Sequence, residues 1–174
     1  MHLRIGLDID DVLADFMSTY LYKFGEPKRD FEITKNVQRI LIKDKDFWVN
    51  LPVLNKPNFT PELYCTKRVN SKAWTKYWLK THNFPKRPVY QIYSQHSNKA
   101  DYIKGRVDLF IDDSLFNFKA MNCAGVPCLL MDRPYNEHWG PIGRIYSLDK
   151  EEIIDTYYLL INTLSPEYFK YEIK

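Results

Sequence analysis

The sequence has little of what staples or anchors a chain. Its three cysteines (Cys65, Cys123, Cys128) are an odd number without CxxC spacing, so neither a disulfide framework nor a zinc site is expected. No apolar run nears the ~18 residues a membrane helix needs; the longest clean one, 128–131, has four. The opening Met1-His2-Leu3-Arg4-Ile5-Gly6-Leu7 runs straight into strand-like sequence, so no secretory leader is expected. Internal repeats and low-complexity tracts are also missing. The expectation is a soluble, cytoplasmic protein without a membrane partner. Acid is scarce in one place only: between Lys67 and Arg106 there are ten Lys/Arg against the single acid Asp101. The whole chain is only +3, so this basic middle sits inside an acidic remainder of −6. Such a distribution suits an anionic ligand such as a phosphate ester, although spaced lysines on a solvated helix face produce the same count.

What is present is core-forming material. Of 174 residues, 45% are hydrophobic and 27% charged, enough for one domain or one domain with a small insertion. Residues 3–8 read as a buried strand that an acidic cluster stops, and four further strands are expected at 62–65, 89–93, 107–111 and 126–131. Helical spacing marks 12–24, 32–42, 71–82, 98–105, 116–124 and 151–164, with Gly25 as a stop for the first and Ser165-Pro166 closing the last. Strands alternating with helices predict an α/β fold with a doubly wound, parallel, five-stranded sheet. Residues 1–16 and 59–174 would form its core. Residues 17–58, inserted after the first strand and helix, would form a small helical cap.

In an open α/β sheet, ligands bind beyond the carboxyl ends of the strands. The first strand ends in Asp8-Ile9-Asp10-Asp11, the second in Thr66 and the fourth in Asp112-Asp113, while Lys99 lies near the start of the helix before the fourth strand. Carboxylates brought together repel unless a cation compensates, so Asp8, Asp10 and Asp112 imply a hard divalent ion bound through oxygen, Mg2+ above others. Thr66 and Lys99 would offer a hydroxyl and a point charge to a phosphoryl oxygen. The lone alternatives are plain ones: aspartates capping a helix, a strand-end threonine bonding a loop, a loop histidine (His96) in solvent.

Taken together, these positions resemble the haloacid dehalogenase-like (HAD) superfamily, whose fold is Rossmannoid. Asp8-Ile9-Asp10-Asp11-Val12 is similar to its first motif, DxDx(T/V), with Thr66, Lys99 and Asp112-Asp113 at the second, third and fourth. A narrower resemblance, to the 5'(3')-deoxyribonucleotidase family, rests on four segments. These are 8–16 (DIDDVLADF), Phe47-Trp48 with Leu51-Pro52, 108–113, and Pro134-Tyr135-Asn136. Asp11 stands where that family more often has Gly, and 51–62 is too short for the helix it usually places before the second strand.

The resemblance implies a Mg2+-dependent phosphomonoesterase acting on pyrimidine deoxynucleoside monophosphates. Asp8 would be the nucleophile and Asp10 the general acid and base. Asp8, the backbone carbonyl of Asp10 and Asp112 or Asp113 would hold the metal, Asp112 being preferred. Thr66 and Lys99 would clamp phosphate, with Lys104 as the alternative lysine; from its own place after the second strand, Arg68 fits a contact with phosphate or sugar and a surface role equally well. Phe16, Phe47 and Trp48 would stack on the base. Two other functions fit the same residues: a polynucleotide 3'-phosphatase (or another small-molecule phosphatase of this type) using the basic middle, and an inactive binding protein on the same fold. A small nucleotide is the expected partner ahead of nucleic acid, and a homodimer is allowed because members of the family often pair.

Overall fold

A computed structural model describes residues 3–26, 31–94 and 97–171; His96 lies outside them. Six parallel strands form one sheet: β1 (Ile5–Leu7), β2 (Leu63–Thr66), β3 (Val89–Gln91), β4 (Leu109–Asp112), β5 (Cys128–Met131) and β6 (Arg144–Ile145). Their order is β3-β2-β1-β4-β5-β6. The chain moves outward from β1 through β2 to β3, then returns to place β4 on the other side of β1. The topological switch point therefore lies between β1 and β4, where such sheets open a crevice at the strands' carboxyl ends. Every residue of β1, β2, β4 and β5 is buried, as expected for strands covered on both faces.

The count of five strands is corrected to six. β6 has only two residues, pairing Leu130 with Arg144 and Met131 with Ile145, which is too short for a period of two to show in sequence. β1 and β4 touch closely: a Cβ on Gly6, which pairs with Phe110, would stand 2.7 Å from the Phe110 ring. Glycine is required there by packing.

Eight helices of the described residues cover the sheet or form the insertion: α1 (Phe16–Phe24), α2 (Phe31–Arg39), α3 (Lys45–Val49), α4 (Lys72–Thr81), α5 (Ala100–Ile103), α6 (Leu115–Cys123), α7 (Lys150–Thr163) and α8 (Pro166–Tyr171). Side chains that favour caps start several of them. Asp15 accepts from the Ser18 amide, Ser71 from Ala73, Ser114 from Asn117, and Asp149 from Glu151 and Glu152. The first helix starts at Phe16, not residue 12, because Leu13 and Ala14 both donate back to the Ile9 carbonyl in a tight turn. Pro166 does not end the fold's helices. It opens α8, in the first-turn position where its missing N–H costs nothing.

Between β1 and β2 lie α1, α2, a 3-10 turn (Leu41–Lys43) and α3. No helix follows α3 before β2. Residues 51–62 form an extended strap, fixed where Asp15 donates to the Pro52 carbonyl (2.9 Å) and Leu54 to that of Leu13 (2.7 Å). Trp78 of α4 is wholly buried and donates its indole N–H to the Leu51 carbonyl, 2.7 Å away, which ties the strap to the core. The abbreviated connection thus rests on backbone bonds, one tryptophan, and the side chains of Asn55, which donates to the Val12 carbonyl, and Asn58, which donates to Asp149. No helix of the described residues is long and apolar enough to cross a membrane.

Candidate active site

The switch point brings the acidic residues together. Asp8 follows β1, and Asp112 ends β4, its neighbour. Oxygens of Asp8, Asp112 and Asp113 lie within 4.8 Å of one another. The Lys99 ammonium is buried between the first two, 2.6 Å from Asp8 Oδ2 and 2.7 Å from Asp112 Oδ2. Lys104, the alternative lysine, points elsewhere: its ammonium donates to the Ala124 carbonyl at 2.7 Å.

Each acid is also held by neutral donors. Asp8 Oδ1 accepts from the Ile9 amide (2.7 Å). Asp112 Oδ1 accepts from the Ser114 amide (2.9 Å) and from Asn117 Nδ2 (3.1 Å). Asp113 accepts a hydrogen bond from the Tyr135 hydroxyl, 2.6 Å away. The Asp113 carbonyl accepts from buried Asn136, so the Pro134-Tyr135-Asn136 loop braces the cluster.

Burial pushes the Asp8 carboxyl well above the usual range; Lys99 pulls it back, and Asp112 and Asp113 push it up again. Asp113 is raised in the same way, by burial and then by Asp112. Lys99 itself is held above the ordinary lysine value, because the attraction of Asp112 and Asp8 outweighs the cost of its burial. Three carboxylates against one ammonium leave uncompensated negative charge in a hard-oxygen donor set, which fits a divalent ion such as Mg2+.

Asp10 stands apart from that cluster. Its side chain, 20% exposed, receives a fork from Arg68, which is fully buried: Nη2 donates to Oδ1 at 2.6 Å and Nε to Oδ2 at 2.9 Å. The Thr66 hydroxyl also points to Asp10 Oδ2, at 3.4 Å. Thr66 and Arg68 are two residues apart at the end of β2 and so face one way. Arg68 is thereby placed as the holder of Asp10, with Trp48 stacked 5.0 Å from its guanidinium carbon, and not as an open contact for phosphate or sugar. Asp10 is expected at the metal through its backbone carbonyl, and its carboxylate, held by Arg68, lies outside the Asp8–Asp112–Asp113 cluster.

The aromatic residues expected to stack on a base are packed on one another. Phe16 stacks on Trp48 (5.7 Å) and meets the edge of Phe47 (5.9 Å), and Trp48 donates its indole N–H to the Leu41 carbonyl. All three are buried. Phe16 and Trp48 still present part of their surface to a cavity of about 140 Å3, shared with Asp10, Lys67 and Ile33, Val37 and Gln38 of α2. Phe47 does not reach it.

Asp11 takes φ = +54°, so the turn after the DxD segment needs the left-handed region that glycine occupies most easily. Aspartate tolerates it; its Oδ1 accepts from the Met17 amide at 2.9 Å, and after burial and Asp112 its charge adds to the upward push on Asp113. Burial and the neighbouring Asp10 charge push its carboxyl up to about 7, against the Met17 hydrogen bond.

Lys67 and Asn117 were given no site role from sequence, and Tyr135 entered only as part of the Pro134-Tyr135-Asn136 segment. Lys67 lines the cavity and donates to Asn117 Oδ1 at 3.0 Å, and burial next to Lys99 lowers its proton affinity. Asn117 and Tyr135 contact Asp112 and Asp113. A signal existed for Lys67, since it directly follows the strand-end Thr66. None existed for Asn117, one of several polar residues in an ordinary helix.

No protein-family model matches the chain, and no curated protein matches it. Among solved structures, a HAD-superfamily hydrolase from Ehrlichia chaffeensis is similar at 12% identity, covering 93% of this chain and 98% of that one, with a TM-score of 0.38.

Proposed function

We propose that the chain is a Mg2+-dependent phosphomonoesterase of the HAD type, acting on pyrimidine deoxynucleoside monophosphates. One observation carries this reading: Asp8 and Asp112-Asp113 face each other across the sheet's switch point, with buried Lys99 between them and Asp10 fixed separately beside the cavity. Asp8, Asp112, Asp113 and the Asp10 carbonyl would hold the cation, which supplies charge neutralisation for a phosphoryl group. The nucleotide itself is supported by the resemblance of residues 8–16 to the deoxyribonucleotidase opening and by the partly apolar cavity wall of Phe16, Trp48, Ile33 and Val37.

In this reaction an Asp8 oxygen attacks phosphorus while the ester P–O bond breaks. Asp10 gives its proton to the departing sugar oxygen. Asp10 then takes a proton from water, whose oxygen displaces Asp8 from the aspartyl-phosphate and releases phosphate. Lys99, Lys67 and Thr66 stabilise the phosphoryl oxygens. The two acids sit in different surroundings: Asp8 lies against the Lys99 ammonium and the carboxylates of Asp112 and Asp113, and Asp10 lies against Arg68 and the open cavity.

The test is phosphate release from the common nucleoside monophosphates, ribo and deoxy, 5' and 3', with Mg2+ and with chelator. Asp8→Asn is expected to lower turnover by roughly 10^3-fold or more while leaving the circular dichroism unchanged. Undiminished Asp8→Asn activity would remove the proposed nucleophile. The polynucleotide 3'-phosphatase reading gains little from the basic middle, of which Lys67, Arg68 and Lys99 stand at the site itself. Lys76, Lys80, Lys86 and Arg87 gather around a cleft at the amino ends of β2 and β3, opposite the acidic cluster, so they do not lead a strand into it.

A further inference from the structure

The largest cavity described lies away from the acidic cluster. It has a volume of about 680 Å3 and sits between the second half of α4 and the loop leading into β3. Leu79 and Phe84 contribute to an apolar floor, and Lys76, Lys80, Lys86 and Arg87 stand around it. All four cations are exposed, and among the described residues none has an ion pair or hydrogen bond. No acid lines the cleft.

A solvated helix face explains Lys76 and Lys80, which are four residues apart on α4. It does not explain why Lys86 and Arg87, from a separate loop, converge on the same concavity. Nor does a solvated face need an apolar floor. Like charges gathered without acids raise the local positive potential and concentrate anions. A volume of this size lies in the range of sites for small organic ligands, and the combination of apolar floor and cationic rim selects a molecule with a flat apolar part and several negative charges. Four cations exceed what one monophosphate can use.

We propose that this cleft binds an organic polyphosphate of nucleotide size, a nucleoside di- or triphosphate, at a site separate from the acidic cluster. The base lies over Leu79 and Phe84, and the phosphates meet Lys80, Lys86 and Arg87, with Lys76 at the edge. This site does not depend on the phosphatase reading, because none of its residues belongs to the acidic cluster or touches it in the described contacts.

The test is titration calorimetry on the full chain in chelator, with the non-hydrolysable triphosphate adenylyl imidodiphosphate, tripolyphosphate and inorganic phosphate as separate ligands. Tryptophan fluorescence gives a second readout, because buried Trp78 stacks on Phe84 at 5.2 Å beneath the floor. The triple variant Lys80→Ala/Lys86→Ala/Arg87→Ala removes only exposed side chains, so its melting temperature and its turnover of p-nitrophenyl phosphate are expected to match the wild type. Binding of the nucleotide analogue is expected to weaken roughly tenfold or more in the variant and to exceed that of tripolyphosphate several-fold in the wild type. Equal affinity in variant and wild type overturns the site. Tripolyphosphate binding as tightly as the analogue overturns the role of the floor and hence the ligand class. A short oligonucleotide binding tenfold tighter than the analogue, and losing that advantage in the variant, replaces the small ligand by a nucleic acid.

Discussion

Arg68 shows how much one residue can settle locally. It is wholly buried, and its guanidinium is used on Asp10, on the face of Trp48 and, at 3.4 Å, on Thr75. Removing one partner of such a pair leaves an uncompensated charge, so Arg68→Met is predicted to cost about 3 kcal/mol of stability. Arg68→Lys, which keeps the charge but cannot fork, should fall between the two. Urea unfolding midpoints measure this, and an Arg68→Met midpoint equal to the wild type would show that the pair contributes nothing. The paired aspartates were legible in sequence because each ends a strand, where side chains converge in this kind of sheet. Arg68 was not. A basic residue just past a strand in a basic segment reads equally as a phosphate contact or as surface, and nothing in the sequence shows it turned inward onto an acid 58 positions earlier in the chain.

At the scale of elements, α2 forms one wall of the cavity beside Asp10. The cavity beside Asp10 holds about 140 Å3, less than the ~300 Å3 at the lower end of common ligand sites, so a nucleotide requires α2 to move outward from Phe16 and Trp48. Filling the same space from α2 should therefore act on larger substrates first. Val37→Trp is predicted to raise KM for a nucleotide roughly tenfold while changing turnover of the smaller p-nitrophenyl phosphate by less than about threefold. Equal effects on both substrates would contradict a steric role for the cap. Most core elements were legible because their apolar spacing is long enough to display a period. The missed pieces are short or depend on tertiary bonds: the two-residue β6, the turn at 11–14, and α8, whose Pro166 reads equally well as an end or a beginning. The aromatic cap was legible as composition only, since spacing cannot say whether Phe47 and Trp48 face a ligand or each other.

For the whole molecule, the buried carboxylates couple folding to pH. Asp11 binds its proton up to about pH 7 when folded, against an ordinary value of 3.8. Between those values the folded chain keeps a proton that the unfolded chain has lost. In chelator, stability is therefore predicted to fall as pH rises through this window, by a few kcal/mol in order of magnitude, and to level off above it. Asp8 and Asp113, also raised, add to the fall. Asp44, lowered chiefly by its Lys23 hydrogen bond, works in the opposite sense but only at lower pH and from a half-buried position. Asp11→Gly removes one of these protons and suits the turn's φ of +54°, so its stability should decline less steeply with pH; an unchanged slope would contradict the assignment. Mg2+ favours the ionised acids and should raise stability most at the alkaline end of the window.

The most direct measurement of the account is a rapid acid quench of the wild-type chain turning over a substrate labelled in its phosphate, followed by peptide mapping. The prediction is a Mg2+-dependent label on the peptide carrying Asp8, absent when Asp8 is replaced by Asn. Steady turnover with no label on Asp8, or with the label on another residue, would contradict it.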